Sequence, residues 1–125
     1  MSLIVQTPIC LVDISEDVND STGVNVETHL VVGVYTPANI TGTGALTFKG
    51  HIGVGDEHGS DSAPAFDHAD WVLITGASIG TTAASTYYPL DRTDFLGVRY
   101  VQIICATNQA TDDKEFKLAL RHGSA

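Results

Sequence analysis

The sequence predicts an all-β protein: a single-domain antiparallel β-sandwich of jelly-roll type that spans residues 1–125. Twelve glycines and four prolines divide the chain into short apolar segments, and β-branched residues dominate those segments. No segment shows a sustained helical period, which argues against α/β architectures. The spacing of the apolar segments predicts about eight strands, as in a sandwich or a jelly roll.

The N-terminal region predicts extended structure interrupted by loops. Residues 3–14 form two short apolar pieces on either side of Pro8, a loop covers 15–23, and a strand covers 24–35. The first part of the chain, residues 1–20, suits two alternatives. It is either an ordinary edge strand of the domain or an extended arm that adds a strand to a neighbouring molecule.

Residues 45–54 give the clearest strand of the sequence, because apolar and polar side chains alternate there with a period of two. One face carries Leu46, Phe48, Ile52 and Val54, and the other carries Thr47, Lys49 and His51. Gly50 interrupts the apolar face, which indicates a bulge or a close backbone approach. His51 and His29 are expected on exposed strand faces.

Three further strands are predicted in the second half of the chain. Residues 71–75 form a continuous apolar run typical of a buried strand, and 98–106 form a second strong strand. Residues 113–121 are ambiguous, because their helix propensity competes with alternation. Phe116, Leu118 and Leu120 alternate with charged neighbours, and this period of two favours a strand.

One short helical turn is expected near 92–96. Asp91 is suited to cap its first turn, and Gly97 is suited to close it. The turn would connect a short extended piece at 86–90 to the strand that follows.

The charge of the chain limits its partners. Fifteen acidic residues against six Lys and Arg give a formal net charge of −9, and the excess lies in the segments 13–20 and 56–70. Because non-specific binding to nucleic acid requires Lys and Arg on phosphates, we expect no nucleic-acid partner. No apolar run approaches the length of a membrane span, and the N-terminus lacks the basic start of a secretory signal.

The segment 56–70 is the one place where the sequence suggests a metal. It gathers carboxylates with His58 and His68, and calcium favours such oxygen-rich loops. The spacing does not fit an EF-hand, however, and the two histidines do not form a closely spaced pair. A solvated loop is therefore expected, with a structural calcium ion as the alternative. We assign no metal ligands and expect no cofactor.

A hydrolase-like pattern at 76–80, Gly-Ala-Ser-Ile-Gly, is interpreted as a flexible turn between strands. A nucleophile elbow requires a helix after the serine and a histidine later in the chain. Residues 81–86 are poor helix formers, and the only later histidine is His122, close to the end of the sequence. We assign no catalytic residues and expect that the protein is not an enzyme.

Cysteines and aromatic residues allow a few further expectations. Cys10 and Cys105 lie in apolar segments, so buried free thiols are expected, with one disulfide as the alternative in an oxidising compartment. The aromatic side chains with a possible role in sugar binding are Trp71, Tyr35, Tyr87 and Tyr88. Trp71 is followed by three apolar residues, which favours a place in the core.

Residues 86–103, with the sequence TYYPLDRTDFLGVRYVQI, carry a resemblance to a known class of proteins. A strand that ends in Pro-Leu-Asp, a short turn, and a strand that begins with Arg-Tyr resemble small β-sandwich structural proteins of tailed bacteriophages. Residues 108–121 are similar in character. The resemblance implies a capsid decoration, or cement, protein: a non-enzymatic virion component, made in the bacterial host cytoplasm and bound to the capsid exterior.

The same resemblance implies that the major capsid protein is the partner and that the chain forms a homo-oligomer, either a dimer or a trimer. If residues 1–20 form an arm, deletion of 1–12 should abolish capsid binding more than it lowers the melting temperature. The basic residues lie at Lys49 and beyond residue 91, so Arg92 and Arg99 are candidates for a face toward the partner. The alternative function is a carbohydrate-binding jelly-roll module, with or without calcium.

Overall fold

Two antiparallel sheets face each other in the computed structural model, which describes residues 9–15, 18–26, 29–52, 70–110 and 112–122. The nine strands in these ranges are β1 (Ile9–Ile14), β2 (Val18–Asp20), β3 (Val24–Asn25), β4 (His29–Tyr35), β5 (Leu46–His51), β6 (Val72–Ile79), β7 (Tyr87–Pro89), β8 (Tyr100–Gln109) and β9 (Lys114–His122). A single 3-10 helix, Arg92–Phe95, lies between β7 and β8.

The strand order confirms the jelly-roll prediction. One sheet has the order β1-β9-β4-β7, and the other has the order β2-β8-β5-β6 with β3 also paired to β8. Because β2 and β3 both pair with β8, they act as one interrupted strand, and the described part of the chain then has eight strands. The two sheets have the interleaved order of a jelly roll: the chain crosses from one sheet to the other at each connection except those between β2 and β3 and between β5 and β6, which stay within the second sheet.

The core lies between the two sheets and consists of side chains from both. Phe48 and Ile103 are neighbours on the second sheet, and Phe116 and Leu118 project from β9 of the first. Phe116, Leu118 and Leu120 are buried while Glu115, Lys117 and Arg121 are exposed, so the alternation predicted for this strand is confirmed. The ring of Phe95 packs edge-on against Phe48, with centroids 5.8 Å apart.

The short turn near 92–96 is also confirmed, and its capping is as predicted. The Asp91 carboxylate accepts a hydrogen bond from the Thr93 backbone N–H at 2.9 Å and another from the Thr93 hydroxyl. These two bonds lower the pKa of Asp91 below its usual value. Gly97 follows the turn with a φ of +86°. The turn places Phe95 in the core, where its side chain anchors the 3-10 helix to the sandwich.

The end of the strand predicted at 45–54 differs from the expectation. Strand β5 ends at His51, whose side chain is buried against Trp71, whereas Ile52 is 80 % exposed. His51 is buried because the Trp71 ring packs against it, and Ile52 is exposed at the point where the strand has ended. The close approach expected at Gly50 is confirmed, because a Cβ there would lie only 2.5 Å from the Val98 side chain. Val54 lies outside the described residues.

The strand predicted at 71–75 exists, but it is not buried. Trp71 is in the core, whereas Val72 and Leu73 are 66 % and 50 % exposed. The physical reason is topological: β6 is the last strand of its sheet, so an apolar run that suits a central strand lies here on an edge. The hydrolase-like pattern at 76–80 is not a turn, because its first four residues belong to β6.

Strand β1 pairs along its whole length with β9 of the same chain, and Val12 and Ile14 are fully buried. Residues 9–14 are therefore an edge strand of this domain. Deletion of residues 1–12 would remove a core side chain, so it is not a clean test of an arm. Residues 1–8 lie outside the described part of the chain, and the prediction of an arm remains a prediction for them.

Candidate functional site

The hydrolase-like pattern at 76–80 lies largely within strand β6. Ser78 lies within β6, opposite Thr47 of β5, whereas His122 ends β9 on the other sheet. A nucleophile elbow places its serine on a sharp turn between a strand and a helix, whereas Ser78 lies inside a strand. The motif is therefore a strand sequence.

Metal ligation has no support in the described ranges. Most of the acidic segment 56–70 lies outside them, and only Asp70 is described. Within 9–15, 18–26, 29–52, 70–110 and 112–122, no group of three or more His, Cys, Asp or Glu side chains is placed to hold a metal ion. The same part of the chain contains no helix long and apolar enough to cross a membrane.

The four aromatic residues considered for sugar binding are not arranged as one row. Trp71 is buried, as predicted, and Tyr88 is half-buried with its hydroxyl accepting a hydrogen bond from Ala83 N–H at 2.7 Å. Tyr35 and Tyr87, by contrast, are about two-fifths exposed, and their ring centroids are 4.6 Å apart at an angle of 43°. Among these four residues, the exposed aromatic surface is the pair Tyr35 and Tyr87.

The register of the first sheet explains the pair. Tyr35 of β4 lies opposite Tyr87 of β7 on one side and opposite Lys117 of β9 on the other. The ring of Tyr87 lies over Gly33, where an added Cβ would overlap it, and its hydroxyl donates to the Val32 carbonyl at 3.1 Å. One close approach and one hydrogen bond thus hold Tyr87 beside Tyr35.

A groove of about 460 Å³ opens beside this pair on the outer face of the first sheet. We call it the tyrosine groove. Its lining residues are Tyr35, Thr36, Pro37, Ala38, Asn39, Ser85, Asp113, Glu115 and Lys117. They come from β4, β9 and three loops that meet at one end of the sandwich.

Hydrogen bonds between loops fix the walls of the tyrosine groove. The Asn39 amide donates to the Asp112 carboxylate at 3.2 Å, and the Thr36 hydroxyl donates to the Ala83 carbonyl at 2.6 Å. Ser85 N–H donates to the Pro37 carbonyl at 3.3 Å. The loops after β4, β6 and β8 are therefore tied together, which favours a preformed groove.

A second exposed surface lies at the free edge of the other sheet. Ile52, Val72 and Leu73 are all at least half exposed, and they line a groove of about 730 Å³ with Asp70 and Asp94 at its margin. We call these three apolar side chains the β6 patch. Strand β6 pairs only with β5 among the described strands, so none of these strands pairs with its outer backbone edge.

Comparisons of the chain with known protein families, with curated proteins and with solved structures give no match. The function must therefore be inferred from the surfaces themselves.

The two arginines proposed to face a partner are not equivalent. Arg92 is exposed on the 3-10 helix. Arg99 is half-buried, with its guanidinium 5.5 Å from the centre of the Tyr100 ring. Charge reversal at Arg99 would therefore disturb packing inside the domain, and only Arg92 offers a clean surface variant.

Both cysteines are free thiols, as predicted, but only Cys105 is buried, whereas Cys10 on the edge strand β1 is partly exposed. Burial, and secondarily the negative charge of Asp20, raises the pKa of Cys105 to about 12, and partial burial also raises the pKa of Cys10. Because the thiolate is the reactive form, we expect both thiols in the folded protein to react slowly with Ellman's reagent at about pH 8. Full reaction should follow on unfolding in guanidinium. Rapid labelling of Cys105 in the folded protein would contradict this placement.

Sequence reasoning considered Tyr35 and Tyr87 but did not identify them as a pair. Only the order of strands in the sheet reveals that the two tyrosines are neighbours, because β4 and β7 are far apart in the sequence and adjacent in the folded molecule. The β6 patch was missed for the same reason: a run of apolar residues does not reveal whether its strand is central or at an edge.

Proposed function

We propose that the chain is a non-enzymatic virion structural protein that binds the outside of a bacteriophage capsid and decorates or cements it. The observation that carries the proposal is the β6 patch at the open edge of β6. Exposed apolar side chains beside an unpaired strand edge are typical of surfaces that bind another protein. The major capsid protein is the proposed partner.

Two further features support this function. The sandwich is built from paired strands with a closely packed core, which gives the rigidity that a shell component requires. A net charge of −9 suits a protein on the exterior of a DNA-filled shell, since it disfavours contact with nucleic acid. The resemblance of residues 86–103 to phage β-sandwich structural proteins points in the same direction.

The test is to mix the purified protein with expanded phage heads that lack decoration protein and to image them by electron microscopy. Added density on the shell is expected for the unaltered chain. The double variant Val72→Ser with Leu73→Ser should bind about 100-fold more weakly, because the two side chains, each only partly exposed before binding, would together contribute about 2–3 kcal/mol on burial.

The chain offers a matched control for this experiment. Leu11 on β1 is 54 % exposed, close to the 50 % of Leu73, but it lies on the opposite sheet. Leu11→Ser should leave shell binding unchanged. Absence of density with the unaltered chain would refute the proposed function. Undiminished binding of the double variant would refute the role of the β6 patch.

A further inference from the structure

We propose that the tyrosine groove binds a neutral saccharide, and that a pyranose ring packs against Tyr35 there. This inference goes beyond capsid attachment and concerns the other sheet of the sandwich. It narrows the expectation based on Trp71, Tyr35, Tyr87 and Tyr88, because only Tyr35 and Tyr87 of these four are exposed.

The shape and chemistry of the groove support a sugar. One face of a pyranose carries C–H groups that pack on an aromatic ring, while its hydroxyl groups need both donors and acceptors around the edge. Tyr35 supplies the ring. The Glu115 carboxylate supplies an acceptor and the Lys117 ammonium supplies donors, and neither makes a hydrogen bond or ion pair within the described ranges.

Charge and rigidity favour the same ligand. The groove carries Asp113 and Glu115 beside Lys117, so an anionic ligand such as a phosphodiester would meet two carboxylates for each ammonium. A neutral sugar avoids this repulsion. Tyr87 fixes Tyr35 from behind, and Gly33 in turn leaves the space that Tyr87 occupies. Little ordering of the Tyr35 ring is then required on binding.

The experiment is saturation-transfer-difference NMR of the full chain with the methyl glycosides of glucose, galactose and mannose as probes. Transfer to the C–H protons of one pyranose face is expected for at least one glycoside. Tyr35→Ala should weaken that binding about tenfold, whereas Tyr35→Phe, which keeps the ring, should change it by less than about twofold.

A second variant tests the support behind the ring without removing a residue that lines the groove. Gly33→Ala adds a Cβ that the Tyr87 ring must avoid, so it should weaken the same binding. If this variant fails to fold, Tyr87→Ala replaces it, since the side chain of Tyr87 is 40 % exposed.

The outcome is independent of capsid binding, because the double β6-patch variant should keep the full glycoside signal and Tyr35→Ala should keep the shell density. Lack of transfer with all three glycosides would overturn the inference. Equal transfer with Tyr35→Ala would do the same, since the sugar would then lie elsewhere.

Discussion

Phe48→Ala is expected to destabilise the domain by about 3–5 kcal/mol, the cost of removing a large aromatic side chain from a packed core. Phe48 is fully buried at the centre of β5. It lies opposite Ile103 on the neighbouring strand and packs edge-on against Phe95 of the 3-10 helix. The cavity would therefore open where one sheet meets the turn that closes the end of the sandwich.

The measurement is equilibrium unfolding in urea, followed by the fluorescence of Trp71, the one tryptophan in the chain. The midpoint should fall while the slope stays constant, because the folded state loses packing without changing its extent. Ile52→Ala is the control: Ile52 is 80 % exposed, so its loss should change stability by less than about 0.5 kcal/mol. A loss below about 1 kcal/mol for Phe48→Ala would contradict the described core.

Patterns that are local in the sequence predict much of this fold. Alternation at 113–121 correctly indicates a strand, and Asp91 with Gly97 correctly marks the turn near 92–96. These predictions succeed because the physical cause, a period of two or a capping side chain, lies within a few residues. The jelly-roll class follows from many short strands without any helical period.

The errors arise where a distant part of the chain decides the environment. His51 is buried because Trp71 packs against it, and Ile52 is exposed because it follows the last residue of β5. Val72 and Leu73 are exposed because no described strand follows β6 in its sheet. None of these contacts is visible in a window of neighbouring residues.

The candidate sites were harder to predict than the fold for the same reason. Tyr35 and Tyr87 are far apart in the sequence, and only the jelly-roll order makes β4 and β7 neighbours. The tyrosine groove also needs three loops that meet at one end of the sandwich. A sequence supplies the residue types for such a site, but the topology selects which of them meet.

The second large effect on stability is expected for variants of the ion pair of Lys114. The charged side chain of Lys114 is almost completely buried at the start of β9. Its ammonium donates to the Ala110 carbonyl at 3.0 Å and pairs with the Asp112 carboxylate. The other oxygen of that carboxylate accepts from Asn39. This cluster therefore connects the loop before β9 to the loop after β4, which together form one wall of the tyrosine groove.

Asp112→Ala should destabilise the domain by about 1–3 kcal/mol, because it leaves a buried ammonium without its counter-charge. The effect is smaller than for a fully buried pair, since the Asp112 side chain is 59 % exposed and water can partly replace it. Lys114→Met removes the charge but keeps an apolar stem of similar length. Its cost should therefore be clearly smaller than that of Asp112→Ala.

The comparison of these two variants separates charge from packing. In urea unfolding, Asp112→Ala should lower the midpoint more than Lys114→Met, and the double variant should be close to Lys114→Met alone, because no buried charge then remains. If Lys114→Met instead destabilises the domain more than Asp112→Ala, the expected order is wrong. The attraction within the ion pair would then hold the two loops together. In that case glycoside binding should be lost in Lys114→Met as well, since the wall of the tyrosine groove depends on the same contact.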